Sequence, residues 1–115
     1  MASSAPDPLS PRAREIVAVA RELLERDGPD GLSMRRIADR LGIRAPSLYK
    51  HVPDKQALEA GIVSAGFEEA AERFEAALRG AREPLTAVGR EYRAFAREHP
   101  HLYGLELKVV GPRHP

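Results

Sequence analysis

Residues 31–55 constrain the fold of this chain more than any other segment, because apolar and small residues recur there at the spacing of a helix-turn-helix. Ala38 is small where two helices must approach closely, and Gly42 follows where the chain must turn sharply. The side chains expected to supply the core of this helix pair are Ile37, Leu41, Ile43 and Leu48. The segment therefore predicts two short helices joined by a tight turn.

Local signals at the ends of both helices agree with this prediction. Ser33 is a good N-cap for a helix over residues 34–41, because its hydroxyl can accept from an unpaired backbone N–H. Gly42 can end that helix in the left-handed conformation without a Cβ penalty. Pro46 suits the first turn of a second helix that begins near Ala45, since its missing N–H would be unpaired there anyway.

The second helix of such a pair inserts its N-terminal end into the major groove of DNA. Arg35 and Arg44 can each donate two hydrogen bonds to guanine, and the short side chains beside Arg44 permit close approach. The side chains expected to contact phosphates, and so to set register without specifying sequence, are Tyr49, Lys50, His51 and Lys55. The full set of predicted DNA-binding residues is Ser33, Arg35, Arg44, Ala45, Pro46, Ser47, Tyr49, Lys50, His51 and Lys55.

The charge distribution supports this interface, although the net charge of the 115-residue chain is only +1. Residues 33–55 carry six basic and two acidic side chains, whereas residues 56–115 carry eight basic and nine acidic ones. The positive charge is therefore concentrated on the predicted DNA-binding segment.

A long, position-specific pattern covers the same region. It runs through Leu32-Ser33, Arg36-Ile37-Ala38, Leu41-Gly42-Ile43, Ala45-Pro46-Ser47-Leu48-Tyr49, His51-Val52 and Asp54-Lys55-x-x-Leu58. In these residues the chain resembles the tetracycline-repressor (TetR) family of bacterial transcriptional regulators. It departs from the usual pattern in two places, with Ser33 in place of Thr and Val52-Pro53 where an aromatic residue often occurs.

The resemblance implies a sequence-specific transcriptional regulator, acting as a ligand-responsive repressor on an inverted-repeat operator in double-stranded DNA. It implies that Arg35 and Ser47 face bases, that Ala45 and Pro46 begin the base-facing helix, and that the phosphate-contacting side chains include Tyr49, His51 and Lys55. It also implies a homodimer. Since members of the family usually continue for several more helices, including those that form the dimer interface, we expect a truncated product or a shortened regulator in which dimerisation by that route is in doubt.

The predicted fold is all-α, with a three-helix DNA-binding head, a long connecting helix and part of a helical effector and dimerisation domain. Apolar residues at helical spacing predict a first helix that begins at Ser10-Pro11 and ends at Asp27-Gly28-Pro29. After Asp54, an N-cap candidate, a long helix is expected to about Arg79. A break over residues 80–84 then precedes a further helix that Pro100 stops, and a short last helix is expected over residues 101–109. The predicted divisions are a flexible arm at 1–11, the head at 12–70 and the partial C-terminal domain at 71–115.

Aromatic residues recur beyond the head. The run Tyr92-x-x-Phe95-Ala96-x-x-His99-Pro100-x-Leu102-Tyr103 resembles the start of the effector domain in a subset of the TetR family. The residues that could line a pocket for a small-molecule effector are Phe67, Phe74, Tyr92, Phe95 and Tyr103. The alternative is that they form plain core, as aromatic stripes at helical spacing commonly do.

Other functions have weaker support. His99 and His101 near Glu98 lack a third metal ligand at useful spacing, and Ser47 with His51 lacks an orienting acid, so we expect neither an enzyme nor a metal site nor a cofactor. The chain has no Cys, its N-terminus lacks the features of a signal peptide, and we expect a cytoplasmic protein without a membrane partner. A helical protein-interaction module or a non-functional truncated regulator stays open as the alternative.

Overall fold

A computed structural model describes residues 10–111, which form six α-helices and one short 3-10 turn (Pro29–Gly31) without any strand. The helices are α1 (Pro11–Asp27), α2 (Met34–Leu41), α3 (Ala45–His51), α4 (Lys55–Leu78), α5 (Pro84–Glu98) and α6 (Pro100–Val110). The all-α prediction is confirmed. The flexible arm predicted at residues 1–11 lies outside the described residues, except that Ser10 and Pro11 begin α1.

The predicted limits of α1 are confirmed. The Ser10 hydroxyl accepts a hydrogen bond from the backbone N–H of Ala13 at 3.1 Å, and Pro11 begins the first turn. Gly28 ends the helix with a φ of +77°, and its N–H donates to the carbonyl of Leu24. The buried side chains of α1 lie on one face, which packs against the helix-turn-helix, α4 and α6; they are Ala13, Ile16, Val17, Ala20, Leu23 and Leu24.

The helix-turn-helix forms at the predicted residues. The Ser33 hydroxyl accepts from the Arg36 N–H at 3.3 Å and caps α2. Gly42 takes the left-handed conformation, with a φ of +69°, and Pro46 lies in the first turn of α3. Ile37 and Leu48 are fully buried where α2 and α3 meet α1, whereas the two other predicted core residues, Leu41 and Ile43, pack at its margin. Apolar contact with α1 therefore holds the pair.

The long helix α4 connects this head to α5 and α6. Asp54 caps it by accepting from the Ala57 N–H at 2.8 Å, as expected. Leu58 and Ile62 are buried near its start, and Ala70 is buried further along, where α4 packs against α5. The buried core is therefore continuous from the helix-turn-helix into the C-terminal helices, across the boundary predicted between residues 70 and 71.

The two C-terminal helices pack less completely than their sequence suggests. On α5, Phe95 is buried, but Tyr92 is exposed and Leu85 is 90% exposed. The reason is that α5 contacts the described chain mainly through α4 and α6, which cover only one side of it. Helix α6 begins at Pro100, one residue earlier than expected, because proline fits the first turn of a helix. Across residues 10–111, no helix is long and apolar enough to cross a membrane.

Candidate nucleic-acid interface

Helix α3 presents a continuous outer face, as the sequence predicts. Leu48 is fully buried and anchors the helix, so the side chains on the other positions point away from the core. Tyr49 keeps 45% of its surface exposed. The exposed residues on and beside this face are Arg35, Arg44, Ala45, Pro46, Ser47, Tyr49, Lys50, His51 and Lys55.

Ser33 is the one predicted DNA-binding residue that is not exposed. It is half-buried, and its hydroxyl oxygen accepts the Arg36 N–H at the start of α2. Its position at the first turn of α2 keeps it near Arg35, which follows two residues later. The structure therefore gives Ser33 a capping role, and any contact with DNA stays a prediction.

The basic side chains between residues 33 and 55 fall into two groups. Arg36 donates to Asp27 at 2.7 Å, and Arg40 donates to Glu22 at 3.3 Å, so both are paired with carboxylates of α1. The other group consists of side chains that form no hydrogen bond or ion pair within residues 10–111: Arg35, Arg44, Lys50 and Lys55. Every member of the second group belongs to the predicted DNA-binding set. The structure thus separates cations that hold the head together from cations available to a partner.

The pairing of Arg36 affects the ionisation of its partner. Hydrogen bonds from Arg36 and then from Arg26 hold the pKa of Asp27 below its ordinary value, because both stabilise the ionised carboxylate. Asp27 therefore stays charged at neutral pH and keeps Arg36 directed toward α1. Sequence reasoning missed this contact because the partners are 9 residues apart and on different helices. The sequence of α2 contains three arginines, and nothing in it indicates which of them would be paired with a carboxylate.

The residues considered for metal binding do not form a set of three ligands, although His99 Nε2 lies 3.8 Å from a carboxylate oxygen of Glu98. The His99 Nδ1 atom lies 2.5 Å from a carboxylate oxygen of Glu25 on α1. Ser47 and His51 form no mutual hydrogen bond in the part of the chain that the structure describes. No group of three or more His, Cys, Asp or Glu side chains in residues 10–111 is arranged to hold a metal ion.

The predicted effector residues are dispersed over three helices. Phe95 is buried in the core beneath the Arg73 guanidinium, which lies 5.3 Å from the ring centroid, and Phe74 packs at the core margin. Tyr92 and Tyr103 stack edge to face with their centroids 6.0 Å apart, and Phe67 is exposed on α4. Phe95 is therefore a core residue, as expected under the alternative that these aromatic residues form plain core. A pocket formed by the other aromatic residues stays a prediction.

Comparison with known proteins agrees with this geometry. Residues 16–61, which contain the core of α1, the helix-turn-helix and the start of α4, match the family described as bacterial regulatory proteins, tetR family. The chain is 34% identical over 99 residues to the HTH-type transcriptional repressor DrrR1 of Streptomyces coeruleorubidus, a match that covers 84% of the chain and 37% of that protein. It is 49% identical over 43 residues to the class D tetracycline repressor of Escherichia coli, covering 37% of the chain and 20% of the repressor.

A third relative extends over nearly the whole described chain. The regulator YobS of Bacillus subtilis, an uncharacterized HTH-type transcriptional regulator, is 27% identical over 108 residues, which are 89% of the chain and 56% of YobS. The chain thus spans between about a fifth and about half of the length of these relatives. The residues of the family match, 16–61, contain the capped, α1-supported helix pair that the structure shows. Residues 16–61 of the chain belong to the tetR family of bacterial regulatory proteins.

Proposed function

We propose that the chain is a sequence-specific DNA-binding transcriptional regulator that represses its targets by placing α3 in the major groove of an operator. The observation that carries this proposal is the set of unpaired cations around the exposed face of α3, next to arginines that α1 already neutralises. Unpaired Arg and Lys side chains on one face attract a polyanion, and a buried anchor such as Leu48 keeps the reading helix rigid. Relatives named as repressors support the regulatory role.

Within this proposal the side chains have different tasks. Arg44 and Ser47 read base edges, because they lie at the N-terminal end of α3, which enters the groove. Arg35, near the start of α2, reads a base as the family resemblance implies. Four side chains contact phosphates, three from the outer side of α3 and one from the first turn of α4. They are Tyr49, Lys50, His51 and Lys55. Lys55 thereby connects the interface directly to the long helix.

We further propose that two copies bind an inverted repeat and that a small-molecule effector regulates binding. A palindromic operator needs two heads at a spacing of about one helical turn of DNA. Exposed apolar side chains on the C-terminal helices, including Leu85, Leu107 and Val110, provide surface for association. Among the aromatic residues, Phe67 and Tyr92 are exposed and Tyr103 contacts Tyr92. These three are therefore the side chains expected to contact the effector.

The test begins with selection of binding sites from a pool of random duplexes by the purified chain. Enrichment of one sequence, followed by a steep and log-linear loss of affinity with rising salt, is the expected result. An enriched inverted repeat, together with two copies of the chain per duplex by sedimentation, would support the dimer. The helical protein-interaction alternative predicts no enriched sequence and little dependence of association on salt, because apolar contacts are not screened.

A further inference from the structure

A groove lies between the DNA-binding head and α6. It has a volume of about 250 Å³ and is bounded by the end of α1, the 3-10 turn, the first turns of α4 and one face of α6. Its floor is apolar, because Leu24, Leu32 and Leu105 contribute to it and are all buried. None of the aromatic residues predicted to bind an effector lines it. The groove is therefore separate from the effector surface proposed above.

Gly104 keeps the groove open along α6. A glycine inside a helix costs up to about 1 kcal/mol of stability relative to alanine, so its presence requires a reason. Close packing is not the reason, because a Cβ built on Gly104 would meet no heavy atom within 4 Å. Gly66 on α4 differs, since a Cβ there would lie 3.1 Å from Leu102. The space above Gly104 is unfilled and belongs to the groove.

The charges that line the groove favour an anion. Its one carboxylate, Glu59, is buried and already accepts a hydrogen bond from Lys108 Nζ at 3.0 Å. Lys55, one helical turn before Glu59 on α4, forms no ion pair with any residue that the structure describes. His101, at the end of the groove, adds no negative charge. The groove thus combines an apolar floor with an unpaired ammonium group at its edge.

We propose that this groove binds a small molecule with an apolar body and a single carboxylate. The body would cover Leu24 and Leu105 in the space that Gly104 leaves open, and the carboxylate would pair with Lys55. Apolar contact supplies most of the affinity of such a ligand, and the charged group sets its orientation. Its effect on DNA rests on the proposed function, since a ligand that occupies Lys55 removes a phosphate contact and lowers DNA affinity, as reciprocal coupling requires.

The binding test uses the isotopically labelled full chain without DNA, so its outcome does not depend on the proposed function. Octanoate and 3-phenylpropanoate are titrated while the backbone amide shifts of groove residues are followed, with octanamide as the uncharged comparison. We expect saturable shifts around Gly104 and Leu105, with octanoate bound more tightly than octanamide. In Lys55→Gln the two octyl compounds should bind equally, because the charge that distinguishes them has been removed.

Gly104→Leu tests the position of the ligand, because the new side chain would occupy the open space without meeting a neighbour at its Cβ. Its octanoate affinity should fall roughly tenfold or more. Gly89→Leu is the matched control, since Gly89 is also inside a helix with open space around it but does not line the groove. Gly104→Ala provides a smaller change whose helical content, measured by circular dichroism, should not decrease.

Three results would overturn the proposal. The first is an absence of saturable shifts with both carboxylates at millimolar concentration. The second is unchanged octanoate affinity in a folded Gly104→Leu variant, which would place the ligand elsewhere. The third is equal affinity of the unmodified chain for octanoate and octanamide, which would remove Lys55 from the site. Loss of DNA binding by the unmodified chain would contradict only the proposed function.

Discussion

The Arg36 guanidinium donates to the Asp27 carboxylate at 2.7 Å and thereby joins α2 to the last turn of α1. Arg35, the preceding residue on α2, has no such partner within residues 10–111. Adjacent arginines therefore have different tasks, because successive side chains on a helix point about 100° apart. One arginine faces the supporting helix, and the other faces solvent beside α3.

Replacing Asp27 by Asn should slightly lower the thermal midpoint of unfolding at pH 7. The folded-state pKa of Asp27 is held below 3.8 by Arg36 and Arg26, so its stabilising contribution is complete above 3.8 and disappears as the pH falls through the lowered value. The difference between Asp27→Asn and the unmodified chain should accordingly vanish in acid. Asp30→Asn, which removes an exposed carboxylate without a described partner, serves as the control. A pH-independent difference would contradict the ion-pair explanation.

The separation of paired from unpaired cations predicts unequal effects on DNA binding. Lys50→Gln should weaken binding to all duplexes and reduce the slope of log affinity against log salt by about one unit, as expected for one lost phosphate contact. Arg40→Gln removes the same charge from the same region, but Arg40 is paired with Glu22, so its salt slope should change much less. Fluorescence anisotropy across a salt series measures both. Equal slopes in the two variants would refute the separation.

Base-reading and phosphate-contacting residues should differ in sequence preference. Ser47→Ala and Arg44→Ala should alter the relative affinities for operator variants, and a lost bidentate contact corresponds to roughly 1–3 kcal/mol at the base pair concerned. Tyr49→Ala and Lys55→Ala should lower the affinity for all duplexes by a similar factor, because phosphates carry no sequence information. Competition assays with single-base operator variants distinguish these patterns. If all variants changed preference alike, the assigned tasks would be wrong.

The turn between α2 and α3 should tolerate only glycine well. Gly42→Ala should lower the free energy of unfolding by roughly 1–2 kcal/mol, because alanine is strained at a φ of +69° even though the space around its Cβ is open. Gly89→Ala should raise it by up to about 1 kcal/mol, since Gly89 has open space in the interior of α5 and no positive φ. Urea unfolding gives both values. A stabilising Gly42→Ala would show that the turn is not under conformational constraint.

Glu106 on α6 should cost stability at neutral pH. Burial raises its pKa above 4.5, and one of its carboxylate oxygens is enclosed without a hydrogen-bond partner. Because the pKa of Glu106 is higher in the folded than in the unfolded state, its ionisation destabilises the fold fully at pH values above the folded-state pKa. This destabilisation disappears as the pH falls toward 4.5. Glu106→Gln should therefore raise the unfolding midpoint at pH 7, with a gain that shrinks in acid.

The exposed carboxylate of Glu68 provides the matched control for this measurement, because it has no described partner and lies on a neighbouring helix. Glu68→Gln should change the unfolding midpoint little, and any change should not follow the same pH profile. A midpoint for Glu106→Gln that is lower than that of the unmodified chain at pH 7 would mean that the ionised carboxylate is stabilised by its surroundings.

Much of the head could be predicted from local sequence. Caps such as Ser33 and Asp54 act on backbone groups only three residues away, and Gly42 and Pro46 act through their own backbone conformations. These effects operate within one helical turn, so the limits of α2, α3 and α4 could be placed before any packing was known. The burial of Ile37 and Leu48 also followed, because each is an apolar residue on a short helix whose other side is mostly polar or charged, so each was expected to face the core.

Contacts between distant helices could not be predicted in the same way. Whether Arg36 or Arg35 is free depends on where α1 places Asp27, and whether Leu85 is buried depends on which helices cover α5. The groove beside Gly104 exists only because α6 lies across α1 and the start of α4. This packing brings Gly104 to the same groove as Lys55, although the two residues are 49 positions apart in the chain. Charge pairing and cavities depend on distances in space, whereas a sequence records only distances along the backbone.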